Sequence, residues 1–283
     1  MSNYDTNLSK QDYTRLCALV RSEAGIHLGA EKRTMLEARI RRRLKVLEMD
    51  SYDQYCSYLF GRKGLKEEIV HLIDVVTTNK TDFFREPKHF EFLVDRVLPE
   101  FSEKLPGGRP FFVWSAGCST GEEPYTLAMV LSDYATSRPG FRFRILATDI
   151  STIVLKKAEL GVYSEDAIGA IPAGMKRKYF LHGRDAASER VRVAPEVRRF
   201  VEFRQLNFMA ADYGVNETPD AIFCRNVIIY FERATQECIL GKLSACLAPE
   251  GYLFVGHAET LHDMDLPLVP VAPSLYRRVH DTG

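Results

Sequence analysis

The chain has 283 residues, enough for two domains of ordinary size and a well-buried core, and Lys plus Arg and Asp plus Glu each total 38. That balance creates no global field toward nucleic acid or an anionic membrane, so electrostatic recognition has to be local and a nucleic-acid partner is not expected. Six cysteines at positions 17, 56, 118, 224, 238 and 246 form no C-x-x-C pair, which argues against a zinc site and a disulfide framework and for a reducing, cytoplasmic compartment.

The first residues lack the apolar core of a secretory signal, and no run approaches the roughly 18 apolar residues of a membrane span, so no membrane insertion is expected. Ser9 with Asp12 makes a capping-box-like start. Tyr13, Leu16, Leu19 and Val20 recur at helical spacing until Gly25 stops the helix. A second helix is predicted over residues 31–48, with Leu36, Ile40, Leu44 and Leu47 in one apolar stripe. Its other side is basic: residues 32–45 hold seven bases and one acid, Glu37. Arg41, Arg42 and Lys45 project opposite the stripe with Arg39 and Arg43 beside it, without the i,i+4 acids that would relieve their repulsion. The run reads as a solvated face or as a docking surface for an acidic partner. Ser51 with Gln54 caps a third helix, residues 65–76 read as a fourth, and residues 1 to about 75 form a small helical domain.

Residues 76–110 connect this domain to the rest of the chain. The stretch VVTTNKTDFFREPKHF (75–90) sets Thr77, Thr78, Asn79, Thr81 and Arg85 around two phenylalanines, more directional groups than a passive linker needs. It is expected to fold over a ligand site and to place a fixed cation there. Pro87 and His89 lead into a helix ending near residue 103.

The remainder, 111–283, alternates strands and helices. FFVWSAGCSTGEEPY (111–125) reads as a strand, a tight loop through Gly117 and Gly121, and a helix N-terminus, which presents backbone N–H groups to a ligand. The glycine spacing is not that of the dinucleotide fingerprint. FRILA (143–147) is a second strand ending in Asp149, an acid placed for ribose hydroxyls or, alternatively, to cap the helix starting near Ser151. From about 163 to 200, short alternating runs broken by Pro172, Gly174, Gly183 and Pro195 read as a β-rich insertion. FVEFRQL (200–206) and DAIFC (220–224) resume the main sheet, a helix follows over 232–247, and GYLFVGH and SLYRRV are a closing pair of strands. Ligands in such open sheets collect at the carboxyl ends of the strands. The first four strand ends here carry Gly117, Asp149, Asn207 and Asn226, a set suited to an adenosine.

TNKTDFFRE, WSAGCSTGEEPY, ATDI and FCRNVIIYF together resemble the chemotaxis receptor methyltransferases, the CheR family, which use S-adenosylmethionine to methylate glutamate side chains of chemoreceptors. The likeness covers about residues 9–279. It implies an all-α N-terminal domain, a linker, and an α/β, Rossmann-like class I S-adenosylmethionine-dependent methyltransferase domain with an inserted small antiparallel β-subdomain. By matching motif it implies that Asn79, Thr81 and Arg85 contact the cofactor from the linker side, and that Glu123 or its neighbour Glu122 lies near the methionine or sugar portion. Asp149 would hold the ribose, Asn207 and Phe208 the adenine, and Asn226 and Val227 the surroundings of the transferred methyl, with Gly117 in the close-approach loop. Arg85 and Tyr230 would stand nearest the incoming carboxylate. Arg39, Arg42 and Arg43 resemble the surface that meets the cytoplasmic methylation helices of transmembrane chemoreceptors. In some members the β-subdomain also grips a receptor's C-terminal tail peptide; the corresponding hairpin here is LHGRDAASER.

Methyl transfer to a carboxylate, ionised at neutral pH with a pKa of about 4.3, needs no strong base. No Ser-His-Asp or Cys-His pattern and no metal cluster is evident in the sequence, so proximity and orientation would carry the rate and no metal is expected. Nitrogen methyltransferases commonly carry Asn/Asp-Pro-Pro-aromatic after the fourth strand. This chain has Arg225-Asn226-Val227-Ile228, which favours an oxygen acceptor. A non-catalytic binding module that senses the nucleotide cofactor is the rival from another class.

Overall fold

The computed structural model describes residues 7–104, 108–183 and 189–279. Four helices open the chain: α1 (Lys10–Ala24), α2 (Arg33–Val46), α3 (Tyr52–Leu59) and α4 (Gly64–Val76). Their ends follow from local chemistry. Ser9 and Ser51 each accept the amide three residues on, and Gly25 closes α1 in the left-handed region at φ 71°. On α2 the stripe Leu36, Ile40 and Leu44 is wholly buried. Beyond residues 77–87 the helix α5 (Lys88–Phe92) passes through a π turn at Leu93–Val97 into α6 (Leu98–Lys104).

Next come β1 (Phe111–Ala116), α7 (Glu122–Thr136), β2 (Phe143–Asp149) and α8 (Thr152–Leu160). The insertion holds β3 (Val162–Ser164), α9 (Ala173–Tyr179), β4 (Phe180–His182), β5 (Arg190–Val193) and α10 (Pro195–Arg198), its strands forming a separate antiparallel sheet in the order β3-β5-β4. The chain then returns through β6 (Val201–Gln205), β7 (Ala221–Cys224), α11 (Arg233–Cys246), β8 (Tyr252–Val255), β9 (Leu268–Ala272) and β10 (Leu275–Arg278). The main sheet has seven strands in the order β6-β2-β1-β7-β8-β10-β9, with β10 antiparallel to both neighbours and the pairs from β6 to β8 parallel.

One strand departs from the sequence expectation of a closing pair. β9 joins β10 at the outer edge, and its Pro270 is tolerated there because an edge residue need not donate on its free side. The tail-peptide hairpin falls partly on residues 184–188, outside the described residues.

Alternation along β1 divides the interior. Phe112 and Trp114 face a core continuous with the N-terminal helices, whereas Phe111 and Val113 face one shared with α7 and the β-subdomain. Trp114 is fully buried and its indole N–H donates to Thr148 Oγ1 at 2.9 Å, so the largest side chain of the strand has no unpaired polar atom. The helical domain is joined to the sheet by a bridge between Ile26 and Phe231 and by the His27 amide donating to the Tyr230 carbonyl at 2.9 Å. Among the described residues no helix is long and apolar enough to cross a membrane.

Candidate active site

β1 pairs with β2 on one side and β7 on the other, so the chain direction out of the sheet reverses between β1 and β7. A crevice opens at the carboxyl ends of strands at such a point. A cleft of about 920 Å³, its open mouth included, lies there. Its walls include Asn79, Thr81 and Arg85 from the linker, Gly117 and Glu123 from the β1–α7 junction, Asp149 after β2, Asn207 and Phe208 after β6, and Asn226, Val227 and Tyr230 after β7. Thr77, Thr78, Lys80, Ser119, Ile150, Arg225 and Phe231 also line it, with Ala24, Ile26 and Val76 from the helical domain.

Gly117 takes φ 89°, and a Cβ there would stand 2.5 Å from Val227 Cγ2, so only glycine leaves this floor open. Asp149 ties two loops together: one oxygen accepts from the Ser119 amide at 2.8 Å and the other from the Ser151 amide at 2.9 Å. The helix cap of α8 is Ser151, not Asp149. Burial pushes the Asp149 carboxyl above its ordinary pKa, and the amides of Ser151, Ser119 and Ile150 oppose that rise.

The two adjacent acids of α7 separate. Glu123 accepts from Ser115 Oγ at 2.6 Å and from Arg225 Nε at 2.9 Å, forming a buried pair under the cleft. Burial raises its pKa and Arg225 counters. Glu122, the alternative from the sequence, is not part of the cleft wall; its carboxylate accepts from Thr120 Oγ1 at 2.7 Å.

The linker is fastened across the cleft. Ser119 Oγ donates to the Asn79 carbonyl at 2.9 Å, Arg85 Nη1 to the Lys80 carbonyl at 3.0 Å, and Arg225 gives the Arg85 carbonyl bonds of 2.8 and 2.6 Å. The Asn207 amide is committed elsewhere than the sequence suggests: its Nδ2 donates to the Glu23 carbonyl on α1 and its Oδ1 accepts from the Met209 amide. What Asn207 offers the cleft is therefore a fixed turn that presents Phe208.

Sequence reasoning missed Glu259. This buried acid accepts from the amides of Asn226 and Val227 at 2.8 Å and of Gly256 at 2.6 Å, and it holds Asn226 in the left-handed region at φ 58°. No local pattern marks its link to the cleft, since Gly256 is three residues away but Asn226 and Val227 lie more than thirty residues upstream.

Glu86, His89 and His257 bring ligand atoms within 4.8 Å of one another. The Arg225 guanidinium stands 3.3 Å from His89 Nδ1, and its fixed positive charge opposes a cation there. Burial and Arg225 push His89 down to about 4.

On α2 the basic residues divide. Arg43 forms a two-pronged pair with buried Glu68 of α4, and Arg39 donates to the carbonyls of Val75, Val76 and Thr77 at 2.9, 2.7 and 2.8 Å. The relief absent from the local sequence thus comes from a neighbouring helix. Arg41, Arg42 and Lys45 remain exposed.

The donor set fits an adenosyl amino acid. Apolar Ile150, Phe208, Val227 and Phe231 stand near an acid suited to a diol, above a glycine floor a Cβ would fill. Residues 79–271 match the CheR methyltransferase, SAM binding domain, and residues 11–77 the CheR methyltransferase, all-alpha domain. Fold, cleft and match define an S-adenosylmethionine-dependent methyltransferase of the Rossmann-like class. A chemotaxis protein methyltransferase of Borreliella burgdorferi is 37% identical over 98% of this chain and 97% of its own length. The Salmonella typhimurium protein of the same name is 38% identical over 91% of this chain and 86% of its own. The chain belongs to the CheR methyltransferase family.

Proposed function

We propose that the protein is a protein-glutamate O-methyltransferase that esterifies glutamate side chains in the cytoplasmic methylation helices of chemoreceptors. The observation that carries this reading is that neither acid of the cleft is free to act as a base: Asp149 is held by two amides and Glu123 is paired with Arg225. Such a site suits a nucleophile that arrives already ionised, as a glutamate does.

S-adenosylmethionine, when bound, supplies an electrophilic methyl group on a sulfonium. Asp149 would hold the ribose hydroxyls, Phe208 and Ile150 the adenine, and Asn79, Thr81 and Glu123 the amino-acid end. Arg85 and Tyr230 would orient the incoming carboxylate beside Asn226 and Val227. An arginine that only steers keeps the oxygen nucleophilic, whereas a closed ion pair would lower its reactivity. Orientation of this kind can supply up to roughly 7 to 11 kcal/mol of barrier reduction.

Arg41, Arg42 and Lys45 would receive the acidic methylation helix. The same helix, through Arg39, holds the carbonyls of residues 75–77, which run into the cleft wall, so a receptor helix docked on α2 lies close to the site.

The test is transfer of labelled methyl from S-adenosylmethionine to a cytoplasmic chemoreceptor fragment, followed by mild alkali. Base-labile label on the receptor is expected. Base-stable label would point to nitrogen as the acceptor, and no transfer despite cofactor binding would favour a sensor module.

A further inference from the structure

The backbone on either side of Arg85 is unusual. Phe84 and Glu86 both lie in the left-handed region, at φ 54° and 56°, where bulky side chains are strained and persist only when their surroundings fix them. Three contacts fix them here. The Phe84 amide donates to Thr126 Oγ1 at 3.2 Å, the Glu86 carboxylate accepts from the His257 amide at 3.2 Å, and between the two the Arg85 carbonyl receives both terminal nitrogens of Arg225.

Every nitrogen of Arg225 is engaged within the protein. Nε is used by Glu123, Nη1 by the Arg85 carbonyl and His89, and Nη2 by the Arg85 carbonyl, and the side chain is 2% exposed. A planar, permanently charged fork is required to reach a carboxylate and a carbonyl at once; an ammonium is a single point. The 3.3 Å contact with His89 further restricts its rotation.

We propose that Arg225 is a positioning residue for Arg85: its guanidinium pins the Arg85 carbonyl between two left-handed residues and so sets where the Arg85 side chain enters the cleft. This rests on the reading that Arg85 meets the acceptor carboxylate. The inference adds that the aim of Arg85 is set by a residue at the end of β7, through its backbone, and not by its own rotamer alone.

Arg225→Lys keeps the charge beside Glu123 and removes the fork. It is expected to lower kcat on the receptor fragment by about tenfold or more, the size of one charged hydrogen bond, while the affinity for S-adenosylhomocysteine changes much less. A double-mutant cycle separates positioning from general structure. In an Arg85→Ala background the same Arg225→Lys change should slow transfer by no more than about twofold, because its target is already gone. If it slows that background as much as the wild type, or if cofactor affinity falls as far as kcat, the proposal is overturned.

Hydrogen exchange across residues 83–90 gives a readout that does not depend on the acceptor. Faster exchange there in Arg225→Lys, with the central strands still protected, is expected, and unchanged exchange overturns the proposal. A wild-type chain that puts no base-labile methyl on receptors would defeat the functional reading, and the exchange measurement would still decide the role of Arg225.

Discussion

Arg43 lays its guanidinium on the carboxylate of Glu68, with Nε 2.6 Å from one oxygen and Nη2 2.7 Å from the other. Glu68 is only 1% exposed, so the pair is part of the packing between α2 and α4. Arg42, one residue away, faces solvent. Neighbours in sequence thus carry opposite kinds of work.

Charge reversal should separate them. Arg42→Glu is expected to leave the urea midpoint nearly unchanged and to raise KM for the receptor fragment at low salt, an effect that fades as salt screens it. Arg43→Glu leaves two carboxylates facing each other in the interior and should cost about 3 to 5 kcal/mol of stability. Denaturation curves of both variants, with kinetics at two ionic strengths, check this; a KM unchanged at low salt in Arg42→Glu would remove α2 from receptor docking.

Asp149→Ala removes the acceptor of the Ser119 and Ser151 amides together with the group assigned to the ribose. Hydrogen bonds to a charged group contribute about 1.5 to 3 kcal/mol. Titration calorimetry with S-adenosylhomocysteine should show affinity weakened by roughly tenfold to a hundredfold or more. Binding within a factor of two of the wild type would show that Asp149 serves only the loops.

Gly117→Ala meets two obstacles: a φ of 89° and a contact 2.5 Å from Val227 Cγ2. Backbone strain of this kind costs about 1 to 3 kcal/mol. Thermal unfolding should fall and cofactor binding should weaken. Adding Val227→Ala removes the steric clash but not the strain, so partial recovery of binding is the expected result.

Acid should weaken the fold through His89, which is 1% exposed and held neutral down to about pH 4 by burial and Arg225. With the folded pKa below the unfolded value of about 6.5, the unfolded chain binds more protons between the two. Stability is therefore full above about pH 6.5 and is lost as pH falls toward 4, by about 2 kcal/mol between pH 7 and 5. Urea midpoints at the two pH values measure it. His89→Asn should flatten the difference, and an equal loss in the variant would assign the acid sensitivity to other groups.

Much of the architecture was legible locally. Caps at Ser9 and Ser51, the stop at Gly25, the buried stripe of α2 and the strands leading to Gly117, Asp149, Asn207 and Asn226 all follow from periodicity and turn chemistry, which act within a few residues. Parallel strands of an open sheet end on the same side, so the strand-end residues of the cleft lining could be named before its shape was known.

Only the tertiary structure decided which groups are free to act there. Glu122 and Glu123 are adjacent on a helix and point about 100° apart, so packing of α7 against the sheet selects Glu123 for the cleft. The same holds for Arg43, Arg225 and Glu259, whose partners stand 25, 140 and 33 residues away. Sequence by itself determined the elements and their order, because helix and strand patterns are short-range. Contacts between distant segments depend on which strands become neighbours and how each helix is rotated, and those are properties of the assembled core.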